Sequence, residues 1–415
     1  MTCKIEDIFI ENSSIGDFII EKTDFSLKFV VECLLKECKR FQRLIFNNKI
    51  QSIDVNQIGE GKGFISYVYR ISLKLTNEST FNFILKYPTS KILNEGLGDN
   101  ELISKEEVSA FHNNECYFYN LFSQISTIKL PKLYYSQEYI INVQDGLILM
   151  EDLSNTSTHV ECYRSFNLCQ IKNIFEEILK LQLISIEKID GKIFEKLTKT
   201  ILDTDFPFFT EFATKYWKKL TEILPESLYE HLEEPLMNLI SNWKEISVYN
   251  AEKFKEIDNN ISVLCHGDMW NNNILFSLDD NGDPSNEVRG VIDWQALQTS
   301  STGMDLARTL IYCTDTYIRK EAEEELLKKF YNNLIETTNI SYDLFLINYK
   351  NSFIEMSLMF LMNIGFSLNG CDMPSVSGDK VWDARKFNIG IRIINNINDA
   401  INYTKELHPE WLSQK

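Results

Sequence analysis

Cysteine pairs spaced for a metal or redox site are missing from this chain: nine cysteines lie scattered from Cys3 to Cys371 with no C-x-x-C among them. The odd number, and positions inside apolar runs such as Phe29 to Leu35, argue for reduced thiols used as small core residues in a reducing compartment. Histidine is equally sparse. His112, His159, His231, His266 and His408 stand far apart, which excludes zinc-ligand spacing. Basic residues are in deficit, 42 Lys and Arg against 60 Asp and Glu, and the resulting net charge of −18 repels polyanions. Nucleic acid and anionic membrane are thereby disfavoured as partners, and a neutral or cationic small acceptor is mildly favoured. No obligate protein partner is indicated. The first residues, Met1-Thr2-Cys3-Lys4-Ile5-Glu6-Asp7, lack the apolar core of a signal peptide. The most apolar run, Met356 to Leu368, includes Asn363 and Gly365 and is too short to span a bilayer. The expectation is a cytoplasmic protein in which this run is a buried helix.

What the chain does have is enough apolar residue, 44% of 415, for two or three lobes each with a core. Thr23 or Asp24 can cap a helix running to about Phe46, with Leu27, Val30, Leu34, Cys38, Phe41 and Ile45 on one stripe. From Ile53 to Lys86 the period changes to two. Ile65, Tyr67, Tyr69, Ile71, Leu73 and Leu75 alternate with polar neighbours, and Phe81 to Lys86 returns after a turn as the partner strand. Ahead of this hairpin stands a glycine-rich turn, Gly59-Glu60-Gly61-Lys62-Gly63-Phe64, where backbone amides could approach phosphates closely.

A helix from about Glu106 to Phe122 carries Val108, Phe111, Glu115, Phe118 and Phe122 on one stripe, so a carboxylate occupies a core-facing place and needs a cation. Lys86, at the end of the preceding strand, is the candidate. Strands near Leu133 to Ile141 and Gly146 to Met150 complete a five-stranded antiparallel sheet with one inserted helix, and Glu151-Asp152-Leu153 forms a connector. Ser154 to Asn260 reads as largely helical, as does the chain beyond Trp294. No internal repeat or low-complexity linker interrupts it. The domain expectation is an N-terminal helical extension over 1–50, a sheet-bearing N-lobe over 51–152 and a C-lobe over 153–415. The fold class is therefore α+β and bilobal, with a cleft at the connector.

The densest chemistry lies in His266-Gly267-Asp268-Met269-Trp270-Asn271-Asn272-Asn273-Ile274-Leu275-Phe276, answered after a short hairpin by Val291-Ile292-Asp293-Trp294. An aspartate ends an apolar strand, an amide follows five residues on, and a second aspartate ends a later strand. That spacing fits phosphoryl transfer, where one Asp meets an acceptor hydroxyl while Asn and a second Asp hold Mg²⁺. Trp270 is expected to pack, and Asn271 and Asn272 to be solvated loop residues.

These motifs resemble the aminoglycoside phosphotransferase and choline kinase group of the protein-kinase-like fold. Within it, Leu264 to Phe276 and the helix segment Phe111-His112-Asn113-Asn114-Glu115-Cys116-Tyr117-Phe118-Tyr119 resemble the ecdysteroid-kinase-like, or CHK-kinase-like, proteins. The likeness runs from about Ile58 to Tyr312 and more loosely to Tyr403. It implies that Asp268 orients or deprotonates the acceptor hydroxyl and that Asn273 and Asp293 bind Mg²⁺. Lys86 would hold the α/β phosphates of ATP with Glu115 behind it, the turn of Gly59, Gly61 and Gly63 with Ser66 would cover the phosphates, and Met150, Glu151 and Asp152 would meet adenine. His266 and Asp305 would brace the catalytic loop.

The departures from protein kinases are informative. Gly267 replaces the arginine of H-R-D, Trp294 and Gln295 replace the Phe and Gly of D-F-G, and no A-P-E follows. With the long helical insert, these disfavour a peptide acceptor. The implied activity is ATP- and Mg²⁺-dependent transfer of phosphate to a hydroxyl of a small molecule: a steroid alcohol, a choline-like alcohol or a xenobiotic. The alternative is a catalytically silent nucleotide-binding scaffold, a class that typically lacks one of the lysine or acidic positions; this chain lacks none. A metal hydrolase built on His266 and Asp268 is weakened by the want of further histidine ligands.

Overall fold

Period-two alternation becomes a sheet in the first of two units. The structure, a computed structural model, describes residues 5–11, 14–59, 65–95, 103–122, 127–188, 206–370 and 379–413. The units are Met1–Ser126 with Leu130–Thr156, and Thr127–Lys129 with Ser157–Lys415. In the first, β1 (Ile50–Ile58), β2 (Ser66–Leu75), β3 (Thr80–Pro88), β4 (Leu133–Gln137) and β5 (Leu147–Glu151) form one antiparallel sheet in the order β1-β2-β3-β5-β4. Strand β4 stops short of the expected Ile141 because Ile140 turns back to bridge Gln144. Along β3, Phe81, Phe83 and Leu85 are buried on one face, which puts Lys86 on the other.

The N-terminal helices cover the Phe81 face. They are two, α1 (Leu27–Glu37) and α2 (Lys39–Ile45), where one was expected. Cys38 leaves helical geometry (φ −91°, ψ 93°) and its sulfur accepts the Phe41 N–H. The cap is also different: Ser26 Oγ accepts the Phe29 N–H at 3.3 Å, while Thr23 is engaged with the Ile20 carbonyl. The stripe itself holds across the break. Leu27, Val30, Leu34 and Phe41 share one core with Leu73, Phe81, Phe83 and Leu149, each large side chain contributing about 1.5–3 kcal/mol.

Between β3 and β4 run a short α3 (Lys91–Glu95) and the long α4 (Lys105–Phe122). A reciprocal cap starts α4: Ser104 Oγ accepts the Glu107 N–H, and Glu107 Oε2 accepts the Ser104 N–H at 2.8 Å.

The second unit is mainly helical. Its small strands are β6 (Ser157–Thr158), β7 (Val263–Cys265), β8 (Ile274–Leu278), β9 (Pro284–Val291) and β10 (Gln298–Ser300). They form a three-stranded sheet, β6-β8-β9, and a separate pair, β10-β7. Strand β6 lies in a stretch that reads as helical, since two residues are too few to set a period. The helices are α5 (Leu168–Lys188), α6 (Phe206–Thr221), α7 (Glu233–Ser241), α8 (Trp243–Ala251), α9 (Met304–Cys313), α10 (Thr316–Leu334), α11 (Tyr342–Gly370) and α12 (Asp379–Leu407). Helix α11 contains the apolar run from Met356 and packs against α6, α9 and α12. Among the described residues no helix is long and apolar enough to cross a membrane.

Candidate active site

In the first unit, burial and charge meet at Lys86 and Glu115. The stripe of α4 puts Glu115 where an apolar side chain would normally sit, at 1% exposure, and the outward alternation of β3 supplies its cation. Lys86 Nζ lies 2.5 Å from Glu115 Oε2, so the buried carboxylate has the partner its position demands. Ser66 opens β2, across from Pro88 of β3, and is buried. Gly59 follows β1 in the left-handed region (φ +72°), with open space where a side chain would be. Gly61 and Gly63 lie outside the described residues.

On the neighbouring strand, Met150 on β5 is paired across both Ile84 and Leu133. Glu151 Oε2 accepts the Lys132 N–H, and Asp152 accepts the Ser154 N–H while its other oxygen lies 3.3 Å from Arg70 Nε. That last contact is an ion pair by distance without the alignment of a hydrogen bond.

In the second unit, the loop after β7 is tied down at its backbone. Asp305, in the first turn of α9 and fully buried, accepts the His266 N–H at 2.7 Å and the Gly267 N–H at 3.0 Å. Burial pushes the Asp305 carboxyl up, opposed by His266, by these two amides and by Arg308. The His266 ring is also fully buried. Its Nδ1 accepts the Asp268 N–H at 3.1 Å, so Nε2 carries the proton and donates to the Ile292 carbonyl at 2.9 Å. Burial lowers the His266 pKa, which keeps this neutral tautomer in place.

Gly267 has a steric origin. It sits at φ +80°, and a Cβ there would lie 2.2 Å from the Ala296 carbonyl oxygen. An arginine at this position, as in protein kinases, has no room.

Asp268, Asn273 and Asp293 are brought toward one another by these ties. Asn273 Nδ2 donates to the Asp268 carbonyl and to Asp268 Oδ2, both at 2.9 Å, leaving its amide oxygen as the end suited to a hard cation. The Ile292 N–H donates to the Asn273 carbonyl at 3.0 Å, and β8 and β9 pair Ile274 with Val291, so Asp293 follows directly on the residue bonded to Asn273. Asp293 itself adopts the left-handed region (φ 66°, ψ 61°), uncommon for a side chain other than glycine and found where a site dictates the backbone. The residues therefore fit Mg²⁺, which typically takes one or two protein carboxylates together with water and phosphate oxygens. Among the described residues no three His, Cys, Asp or Glu form a closed cage, and Mg²⁺ needs none.

Two residues of this site escape the sequence reading. Arg308, one helical turn beyond Asp305 on α9, is 5% exposed and forms an ion pair with Asp268 Oδ1. Its Cζ lies 4.4 Å from the centroid of the Tyr312 ring, and Nη1 lies 3.7 Å from the Met356 sulfur. The available signal was spacing: Asp305, Arg308 and Tyr312 recur at helical intervals in a run that is otherwise apolar but for Thr309. Asn271 was expected to be solvated. It is instead fully buried, and neither of its amide atoms has a hydrogen-bond partner among the described residues. A three-residue polar run gives no sign of which member turns inward.

The model of the ecdysteroid kinase-like family matches residues 60–341. A curated Caenorhabditis elegans protein named uncharacterized oxidoreductase dhs-27 is 28% identical over 414 residues, covering 89% of this chain and 48% of that one. The chain thus spans about half the length of the curated relative it matches. Among solved structures, the Plasmodium vivax ethanolamine kinase is 16% identical at a TM-score of 0.41, with 92% of this chain and 90% of that one covered. The GDP complex of aminoglycoside 2'-phosphotransferase-IIIa is 13% identical at a TM-score of 0.39, covering 84% and 94%.

Proposed function

The chain belongs to the ecdysteroid kinase-like family, and from that premise we propose that it transfers the γ-phosphate of ATP, with Mg²⁺, to a hydroxyl group of a small molecule. The acceptor class is a steroid alcohol, a choline-like alcohol or a xenobiotic. The observation that carries this reading is the state of Asp268: a carboxylate 24% exposed, fixed through both oxygens, on a loop whose backbone is held by a buried carboxylate.

Asp268 meets the acceptor hydroxyl and receives its proton as that oxygen bonds to the γ-phosphorus and the bond from phosphorus to the β–γ bridging oxygen breaks, with ADP as the leaving group. Asn273 and Asp293 hold Mg²⁺ through oxygen atoms, and the ion when bound neutralises charge on the phosphates. Lys86, kept extended by Glu115, pairs with the α/β phosphates, and Gly59 opens the turn that covers them. Met150 to Asp152 meet the adenine. The work asked of the protein is alignment and charge compensation, because the transition state of phosphoryl transfer is loose. The N-lobe role proposed for 51–152 and the acceptor role for 153–415 follow from these assignments.

The test is a mass-spectrometric screen for an added phosphate on sterol, amino-alcohol and glycoside pools supplied with Mg-ATP. Asp268→Ala should leave nucleotide binding nearly intact while turnover falls on the order of 10²-fold or more. Nucleotide binding by the wild type with no product from any pool would favour a silent scaffold instead.

A further inference from the structure

Asp268 is held through two different elements. Its Oδ2 accepts from Asn273 within the loop, whereas its Oδ1 is paired with Arg308, which stands on α9. Helix α9 is also the source of Asp305, which carries the loop's backbone through the His266 and Gly267 amides. One rigid helix therefore presents two charges to one loop: Asp305 to the backbone and, one turn later, Arg308 to the side chain. All ten residues of α9 are buried, and Gly303 ahead of it lets it lie against α11, where a Cβ would come within 2.5 Å of the Tyr349 backbone. The guanidinium itself is confined by the Tyr312 ring, the Met356 sulfur and the Asp268 carboxylate. A buried arginine so enclosed has few rotamers open to it; it meets Asp268 through Nη2 on Oδ1 alone, and with Asn273 on Oδ2 the two contacts together fix the carboxylate's plane.

We propose that Arg308 is a positioning residue for phosphoryl transfer, setting the rotamer of Asp268 so that one carboxylate oxygen faces the acceptor hydroxyl. The proposal rests on the phosphotransferase reading above and adds to it the residue that aims the base. Without Arg308, Asp305 still holds the loop backbone, but the Asp268 side chain, tied through Asn273 on one oxygen alone, can turn about its own bonds. Chemistry then suffers more than nucleotide binding, since the residues assigned to ATP itself stand in the first unit and Asn273 keeps its bond to the Asp268 backbone carbonyl.

Two measurements test this. In the first, Arg308→Gln and Arg308→Lys are compared with wild type for Mg-ATP affinity, kcat and acceptor KM. The expected result is a fall in kcat on the order of 10²-fold for Arg308→Gln and roughly tenfold for Arg308→Lys, with nucleotide affinity within about twofold of wild type. Should Arg308→Gln not fold, Arg308→Lys, which keeps the cation, carries the comparison. In the second, thermal unfolding of Arg308→Met, Asp268→Asn and the double variant forms a cycle in which the double variant should lose less than the sum of the singles. Unchanged kcat in either arginine variant, or strictly additive losses in the cycle, would overturn the proposal. The cycle needs no turnover, so a wild type that forms no product would remove the enzyme reading while the cycle still decides whether the two residues act as a pair.

Discussion

At the scale of single residues, the account turns on charges that are buried and paired. Glu115 is 1% exposed and depends on Lys86 for compensation. Lys86→Met should therefore destabilise the chain by about 3–5 kcal/mol, the typical loss when one member of a buried pair is removed. The double variant Lys86→Met/Glu115→Leu should recover most of that loss and still fail to bind nucleotide. Denaturant unfolding and calorimetric titration check the two halves of this expectation, and full stability in the single variant would contradict it.

His112 gives a pH dependence. Burial above all, with Lys86 nearby, pushes its pKa down from 6.5 to about 4, against the raising effect of its bond to the Gln137 carbonyl. Between those values the unfolded chain takes up a proton that the fold refuses, so this contribution is complete above pH 6.5 and is lost progressively as pH falls toward 4. The loss amounts to about 3 kcal/mol at most. His112→Gln should flatten the fall in melting temperature across that interval, and an unchanged slope would contradict the assignment.

At the scale of elements, legibility follows from period and length. The alternation of Tyr67, Tyr69, Ile71, Leu73 and Leu75 marks β2, and the one carboxylate on the α4 stripe points to its lysine. Short or polar features were not legible. Strand β6 has two residues, Cys38 breaks a helix without glycine or proline, and Asn271 looks like its solvated neighbour. Arg308 was missed because a charged residue beside Asp305 reads as one more solvated position, although α9 has no solvated face.

Helix α9 also supports a prediction of its own. Gly303→Ala would force its methyl against the Tyr349 and Asn348 backbone, which has no side-chain freedom to yield. A loss of roughly 1–3 kcal/mol is expected, with reduced turnover because Asp305 and Arg308 ride on the displaced helix. Gly282→Ala is the comparison: the left-handed φ of +82° is strained, but nothing lies within 4 Å, so turnover should be untouched. Equal effects of the two substitutions on turnover would argue against α9 as the support of the loop.

At the scale of the whole molecule, the sheet-bearing first unit, the larger helical second unit and the family match agree with the α+β bilobal, protein-kinase-like fold that the sequence implies. The loop from His266 to Asn273 stood out because its Asp and Asn recur at a spacing that phosphoryl transfer uses. The acceptor was not, since recognition of a small molecule depends on side chains gathered from separate helices with no fixed interval between them. The most direct measurement is the appearance of a phosphorylated small molecule when wild-type chain is incubated with Mg-ATP and mixed alcohol pools, beside Asp268→Ala under the same conditions. The account predicts product from the wild type and at least a hundredfold less, on the order of 10², from the variant. Equal product from both, or none from a wild type that binds Mg-ATP, would contradict it.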